Sequence, residues 1–143
     1  MSGADQNGYD EAIELIYFAW RDLVAEPDRL LARRRLNRVH HRIIYVIARA
    51  PGITIGGLCR VLGVSKQAVH QPLATLIEDG LVARTVEPTN RRVRKLSLTS
   101  RGVQLEARLA GVQRARFEKA FRAAGPVAEE HWRRVMRLLA ERS

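Results

Sequence analysis

The sequence predicts a mainly α-helical fold carrying one small β-hairpin, and three observations predict it. Apolar residues recur at spacings of three and four through most of the 143 residues, the mark of amphipathic helices. Two short runs with β-branched residues, 81–86 and 93–98, flank a polar segment containing Pro88. Between two helical stretches lies Gly63-Val64-Ser65, a glycine able to end one helix followed by a serine able to start the next. The length suits one domain over residues 1–143, with a core that needs no staples.

The elements follow in order. The first eight residues are small and polar, and disorder is expected there. Asp10 is placed to cap a helix whose apolar stripe is Ile13, Ile16, Tyr17, Trp20, Leu23 and Val24. Glu11 and Glu14 then fall in a first turn where the helix dipole favours negative charge. Glu26-Pro27-Asp28 is expected to punctuate that helix. The stretch from Asp28 to Arg35 is helix-compatible but dominated by Arg33, Arg34 and Arg35, with a break expected near Leu36-Asn37. A second helix carries Val39, Ile43, Ile44, Val46 and Ile47 and ends at Pro51-Gly52.

Ile53-Thr54-Ile55 has room only for a bridging strand, and Thr54 can cap the helix of Leu58, Cys59 and Leu62, which stops at Gly63. Gly56 and Gly57 weaken that helix by ~1 kcal/mol each relative to Ala, or allow close backbone packing. Ser65 caps a helix from Lys66 to about Asp79, closed by Gly80, whose apolar side is Val69, Leu73, Leu76 and Ile77. Pro72 is expected to kink this helix just after Gln71 without breaking it, because the apolar stripe continues beyond. Strands at 81–86 and 93–98 enclose a polar tip, residues 87–92. Thr99 caps a long helix with Val103, Leu109, Val112, Phe117 and Phe121, which Gly125-Pro126 ends. A last helix carries Trp132, Val135, Met136 and Leu139.

Helix, short strand, helix, tight turn, helix, hairpin is the order of a winged helix-turn-helix. It occupies residues 37–99, flanked by helical parts at 9–36 and 100–143. The net charge of +10 is unevenly spread. Residues 1–28 hold one base and seven acids (−6), residues 29–101 fifteen bases and three acids (+12), and residues 102–143 nine bases and five acids (+4). A surplus concentrated on the winged segment points to a polyanion, duplex DNA above all. No apolar run approaches the ~20 residues of a membrane span. The N-terminus has no basic region before its apolar residues, so a cytoplasmic location is expected.

In the helix after the turn, the face opposite the apolar stripe carries Lys66, Gln67, His70, Gln71, Ala74 and Thr75, with Ser65 at its start. Gln can hydrogen-bond adenine bidentately and Lys can reach guanine or phosphate, which makes Gln67, His70 and Gln71 candidates for specificity. The hairpin adds Arg91, Arg92 and Arg94, with Lys95, suited to phosphates or a narrow minor groove. The bland alternatives are a solvated helix face and a charged loop that keeps a strand edge soluble.

The run PGITIGGLCRVLGVSKQAVHQPLATLIEDGLVAR and then NRRVRKLSLTSRG resemble the MarR family (multiple-antibiotic-resistance-type regulators). The resemblance covers residues 36–102, and its most specific parts are GVSKQAV, EDGLV and LSLTSRG. It implies a homodimer with interlocked terminal helices, recognition helices in successive major grooves of a pseudo-palindromic operator, and wings in the flanking minor grooves. Arg92 matches the family's wing-tip arginine by its spacing to Leu98-Thr99. Asn90 stands where the family usually has Asp, which removes an ion pair that would hold the wing arginine, and Gln71 stands where many members have Arg. Many relatives bind small aromatic or phenolic acids. Tyr17, Trp20, His41, Arg42 and Tyr45 could line such a pocket here, or be core and interface residues.

Exposed aromatics on the terminal helices (Tyr17, Trp20, Phe117, Phe121, Trp132) call for cover, by a second chain or by an intrachain cap. The expectation is a homodimeric transcriptional repressor relieved by a ligand. The alternatives are a winged-helix protein-interaction module and a redox switch acting through Cys59, which otherwise reads as a buried small hydrophobe. His40 and His41 are adjacent, not four apart, and His70 and His131 lie in other elements, so no metal site or cofactor is expected. No catalytic motif is present to assign to an enzyme.

Overall fold

In the computed structural model, which describes residues 3–141, six helices surround one three-stranded antiparallel sheet. The order is α1 (Gly3–Ala32), α2 (Arg38–Arg49), β1 (Ile53–Thr54), α3 (Ile55–Leu62), α4 (Lys66–Glu78), β2 (Val82–Val86), β3 (Arg94–Leu98), α5 (Ser100–Ala124) and α6 (Pro126–Ala140). The sheet order is β1-β3-β2, so the hairpin is anchored through its second strand to the bridging strand before α3. Leu96 is the pivot: it pairs with Ile53 on one side and Arg84 on the other, and its side chain is fully buried.

Three caps fall where the sequence puts them. Thr54 Oγ1 accepts from the Gly57 N–H at 3.0 Å, Ser65 Oγ from Ala68 at 3.1 Å, and Thr99 Oγ1 from Gly102 at 3.1 Å. Each satisfies one of the amides a helix start leaves unpaired. Gly63 takes the left-handed conformation (φ 66°) and turns the chain from α3 into α4. The α2 cap is reciprocal. Asn37 Oδ1 accepts from Val39 N–H, and His40 Nδ1 accepts from Asn37 N–H, both at 3.0 Å. The core joins Leu31 and Leu36 to Ile43, Ile44 and Ile47 of α2, Leu58 and Cys59 of α3, Val69, Leu73 and Leu76 of α4, and Leu105 and Leu109 of α5. α4 runs unbroken through Pro72.

α5 is locked to the winged unit at its first turn. Thr99 Oγ1 donates to the Gly80 carbonyl at 2.6 Å, and Thr99 N–H donates to Leu81 O at 3.1 Å. Gly102 packs so closely that a Cβ placed there would lie 2.0 Å from Leu81 O. This contact is the physical content of the LSLTSRG segment: its threonine ties three backbone groups and its glycine lets two elements touch.

Three expectations are corrected. The first eight residues are not a disordered lead: Met1 and Ser2 lie outside the described residues, but helix begins at Gly3, with Asp5 in its first turn. Asp10 is therefore an interior residue of α1 and no cap. Nor does Glu26-Pro27-Asp28 end the helix, which continues to Ala32. Pro27 removes the N–H that would serve the Leu23 carbonyl four residues back. The Gln113 side-chain amide, on α5, donates to that carbonyl at 3.4 Å, and buried Leu31 anchors the turn beyond. The helix ends in a Schellman arrangement, Leu36 N–H to Leu31 O at 3.0 Å, with Arg35 at φ 58° where glycine is usual.

The apolar stripes of the flanking helices are uncovered in the single chain. Ile13, Ile16, Tyr17 and Trp20 of α1 are exposed, as are Val135 and Leu139 of α6. α6 buries no residue, and meets α5 through a ring cluster of Phe117, Phe121 and Trp132 with centroids 5.2 to 5.5 Å apart.

Candidate nucleic-acid interface

The turn 63–65 presents α4 with its apolar side on the core and its polar side outward. Val69, Leu73 and Leu76 are buried; Lys66, Gln67, His70, Gln71 and Ala74 are exposed. These five residues form one exposed strip that runs from the first turn of the helix to Ala74. Thr75 differs: it is half-buried and its hydroxyl donates to the Gln71 carbonyl at 3.1 Å. Its proton is used inside the helix, which leaves only its oxygen to meet a base as acceptor. Ser65 is committed to its cap, so it faces any partner with a side chain already fixed.

The hairpin holds Arg91 and Arg92 exposed at its tip. Neither has a carboxylate partner among the described residues, so both guanidinium groups are free for phosphate or groove contacts. Arg94 is half-buried and donates to the Arg91 carbonyl, so it braces the tip from beneath. Lys95 is closed on Glu87 at 2.6 Å.

Sequence reasoning missed Arg84. It lies on the same face of the sheet as Leu96, its pairing partner, yet it is exposed. With Lys66 and His70 of α4 it lines a groove of about 430 Å³ over buried Val69 and Leu73. The alternation Val82, Arg84, Val86 signals only that Arg84 shares a strand face with Val82 and Val86; its place beside α4 comes from the fold.

The five expected ligand residues divide into two groups. Tyr17 and Trp20 stand exposed on α1, and Arg42 and Tyr45 stand exposed on α2 beside half-buried His41; no hydrogen bond, ion pair or ring contact joins the groups among the described residues. One face of the Tyr45 ring is already taken by the Arg49 guanidinium, 3.3 Å from its centroid. Arg49 also donates to Glu106 Oε1 of α5 at 3.1 Å, so it links α2 to α5; the i, i+4 spacing could have suggested its place over Tyr45, but not this link. Half-buried His41 sits in this setting. Burial pushes its pKa down, Asp28 and Glu106 oppose that, and Arg49 adds to it. Cys59 is buried within the core cluster, a position that favours packing over reaction with an oxidant. Among the described residues no cluster of three or more His, Cys, Asp or Glu side chains is placed to hold a metal ion, and no helix is long and apolar enough to cross a membrane.

Comparison with known proteins matches this geometry. A family model described as MarR family fits residues 36–93. The chain is 44% identical over 131 residues to the HTH-type transcriptional regulator PetP of Rhodobacter capsulatus, covering 92% of this chain and 79% of that protein. Among solved structures, Streptococcus pneumoniae FabT in complex with DNA superposes with a TM-score of 0.79 at 20% identity, over 92% of this chain and 96% of that one. A crystal structure of MarR superposes with a TM-score of 0.70 at 25% identity, over 92% of this chain and 87% of that one. The winged unit matches the family model and near full-length likeness ties the flanking helices to a regulator of the same type, so the chain belongs to the MarR family.

Proposed function

We propose that this chain is a homodimeric, sequence-specific DNA-binding transcriptional repressor, relieved by a small aromatic or phenolic acid. The observation that carries the DNA reading is the pairing of an exposed strip, Lys66, Gln67, His70 and Gln71, with a hairpin whose Arg91 and Arg92 have no carboxylate partner among the described residues. Residues 37–99 form the DNA-binding part: α4 reads bases in the major groove, and the hairpin arginines meet the backbone and minor groove. The structure of FabT with DNA supports this reading.

Residues 9–36 and 100–143 form the dimerisation part, to which α1 from Gly3 onward also belongs. The exposed stripes on α1 and α6 support it, since apolar faces of this length are covered in stable proteins. Two-fold symmetry makes the operator pseudo-palindromic, with half-sites about one helical turn apart. The ligand acts at the α1–α2 side, where Tyr17, Trp20, His41, Arg42 and Tyr45 lie, by favouring a dimer whose α4 helices no longer fit that spacing.

The test is an anisotropy titration against the DNA upstream of the protein's own gene, at several salt concentrations. The proposal expects affinity to fall steeply with salt and to exceed that for random duplex. Affinity indifferent to both salt and sequence would overturn it. Sedimentation shows whether the chain is a dimer, and a thermal-shift screen of aromatic acids tests the ligand.

A further inference from the structure

We infer that Asn90 is the positioning residue of the hairpin tip: its side chain fixes the path of the backbone that carries Arg91 and Arg92 before any DNA is met. The inference rests on the DNA-binding function proposed above.

Two turns meet at this residue. Asn90 N–H donates to the Glu87 carbonyl at 3.3 Å, and the Asn90 carbonyl accepts from Val93 N–H at 3.0 Å. Its side-chain Oδ1 accepts from Arg92 N–H at 3.1 Å, the local bond by which Asn and Asp stabilise a turn. Below the tip, Glu87 N–H donates to the Val93 carbonyl at 3.2 Å, and Lys95 closes on Glu87 at 2.6 Å. Three hydrogen-bonding groups of one exposed residue, its backbone N–H and carbonyl and its side-chain oxygen, therefore hold a six-residue tip in shape.

The choice of amide over carboxylate matters to the arginines. Asp at this position would offer the same acceptor oxygen but set a negative charge beside Arg91 and Arg92, competing with phosphates for them. Asn90 orders the backbone and leaves both guanidinium groups unneutralised. Binding then breaks no ion pair at the tip and orders little chain, a gain in affinity through preorganisation.

The experiment uses full-length protein carrying Asn90→Ala or Asn90→Asp. Heteronuclear NOE values at the Arg91 and Arg92 amides of free protein report tip motion on the ps–ns scale. Anisotropy with the same upstream duplex reports affinity. Asn90→Ala lowers the NOE values and weakens DNA binding about fivefold. Asn90→Asp keeps the NOE values of wild type, but flattens the dependence of log affinity on log salt by about one phosphate contact. Adding Asn90→Ala to Arg92→Ala produces less than an additive loss, because one of the two arginines that Asn90 positions is gone. Unchanged amide order in Asn90→Ala overturns the inference, and so does a fully additive loss in the double variant. If wild type binds no DNA, the proposed function fails and the DNA role of Asn90 with it. The NOE values then still decide whether the side chain orders the tip.

Discussion

Gly102→Ala is the substitution whose effect the structure fixes most closely. A Cβ at residue 102 would lie 2.0 Å from Leu81 O and 3.0 Å from the Leu81 carbonyl carbon, whereas real Cβ contacts essentially never fall under 3.0 Å. The obstacle is backbone, so no side chain can swing aside, and α5 and the start of β2 must separate by about 1 Å. Overpacking of this kind costs about 1–3 kcal/mol, occasionally more. Leu81 O also accepts the Thr99 N–H, and losing that bond adds about 1 kcal/mol. The expected total of about 2–4 kcal/mol is a large part of the roughly 5–15 kcal/mol available to a domain. It corresponds to a fall in Tm of about 10 °C. Gly111→Ala is the control, on the same helix, where a Cβ meets nothing within 4 Å. There alanine raises stability by about 0.5–1 kcal/mol through reduced backbone entropy. Thermal melts by far-ultraviolet circular dichroism, at one protein concentration, compare the two variants with wild type. A Gly102→Ala protein melting within about 3 °C of wild type would refute the close-packing argument.

Other outcomes follow from single features. Arg35→Gly relieves a left-handed residue that costs an L side chain about 1–2 kcal/mol, partly offset by the freer unfolded chain, so Tm rises by about 2–4 °C. Gln113→Leu strands the Leu23 carbonyl and costs about 1–2 kcal/mol in a urea melt; adding Pro27→Ala recovers most of it, because the helix regains its own donor. His40 is buried, and burial lowers its pKa from the ordinary 6.5 against the opposing pull of Asp79. The unfolded chain therefore takes up a proton first, so stability is intact above pH 6.5 and declines as pH falls from there through the lower folded value. His40→Gln, a neutral residue able to accept from Asn37 N–H, should lose less Tm over that acid range than wild type.

The winged unit was legible because its signals are local. Thr54, Ser65 and Thr99 each bond the amide three residues along, and Gly63 decides its turn by its own dihedral angles. The exposed strip on α4 follows from helical spacing alone. What sequence could not supply were effects made by distant residues. Pro27 reads as a stop unless Gln113, on another helix, is known to replace the missing donor. Arg84 reads as a strand residue until α4 is seen beside it, and Arg49 as a helix-end base until Glu106 meets it. Asn90 was read as the loss of an ion pair, and the structure shows a backbone bond in its place, formed by the very atom that Asp and Asn share.

The lock at Thr99 gives α5 the character of a lever. Its first turn is tied to Gly80 and Leu81, two of the three residues between α4 and β2, so α4 and α5 cannot turn independently. Twenty-five residues of helix extend about 37 Å at 1.5 Å per residue. A tilt of about 5° at the locked end therefore moves the far end by about 3 Å, and the same ratio holds in reverse. In a dimer joined through these outer helices, the separation of the two reading helices is gauged by the rigidity of one threonine–carbonyl bond and one missing methyl group.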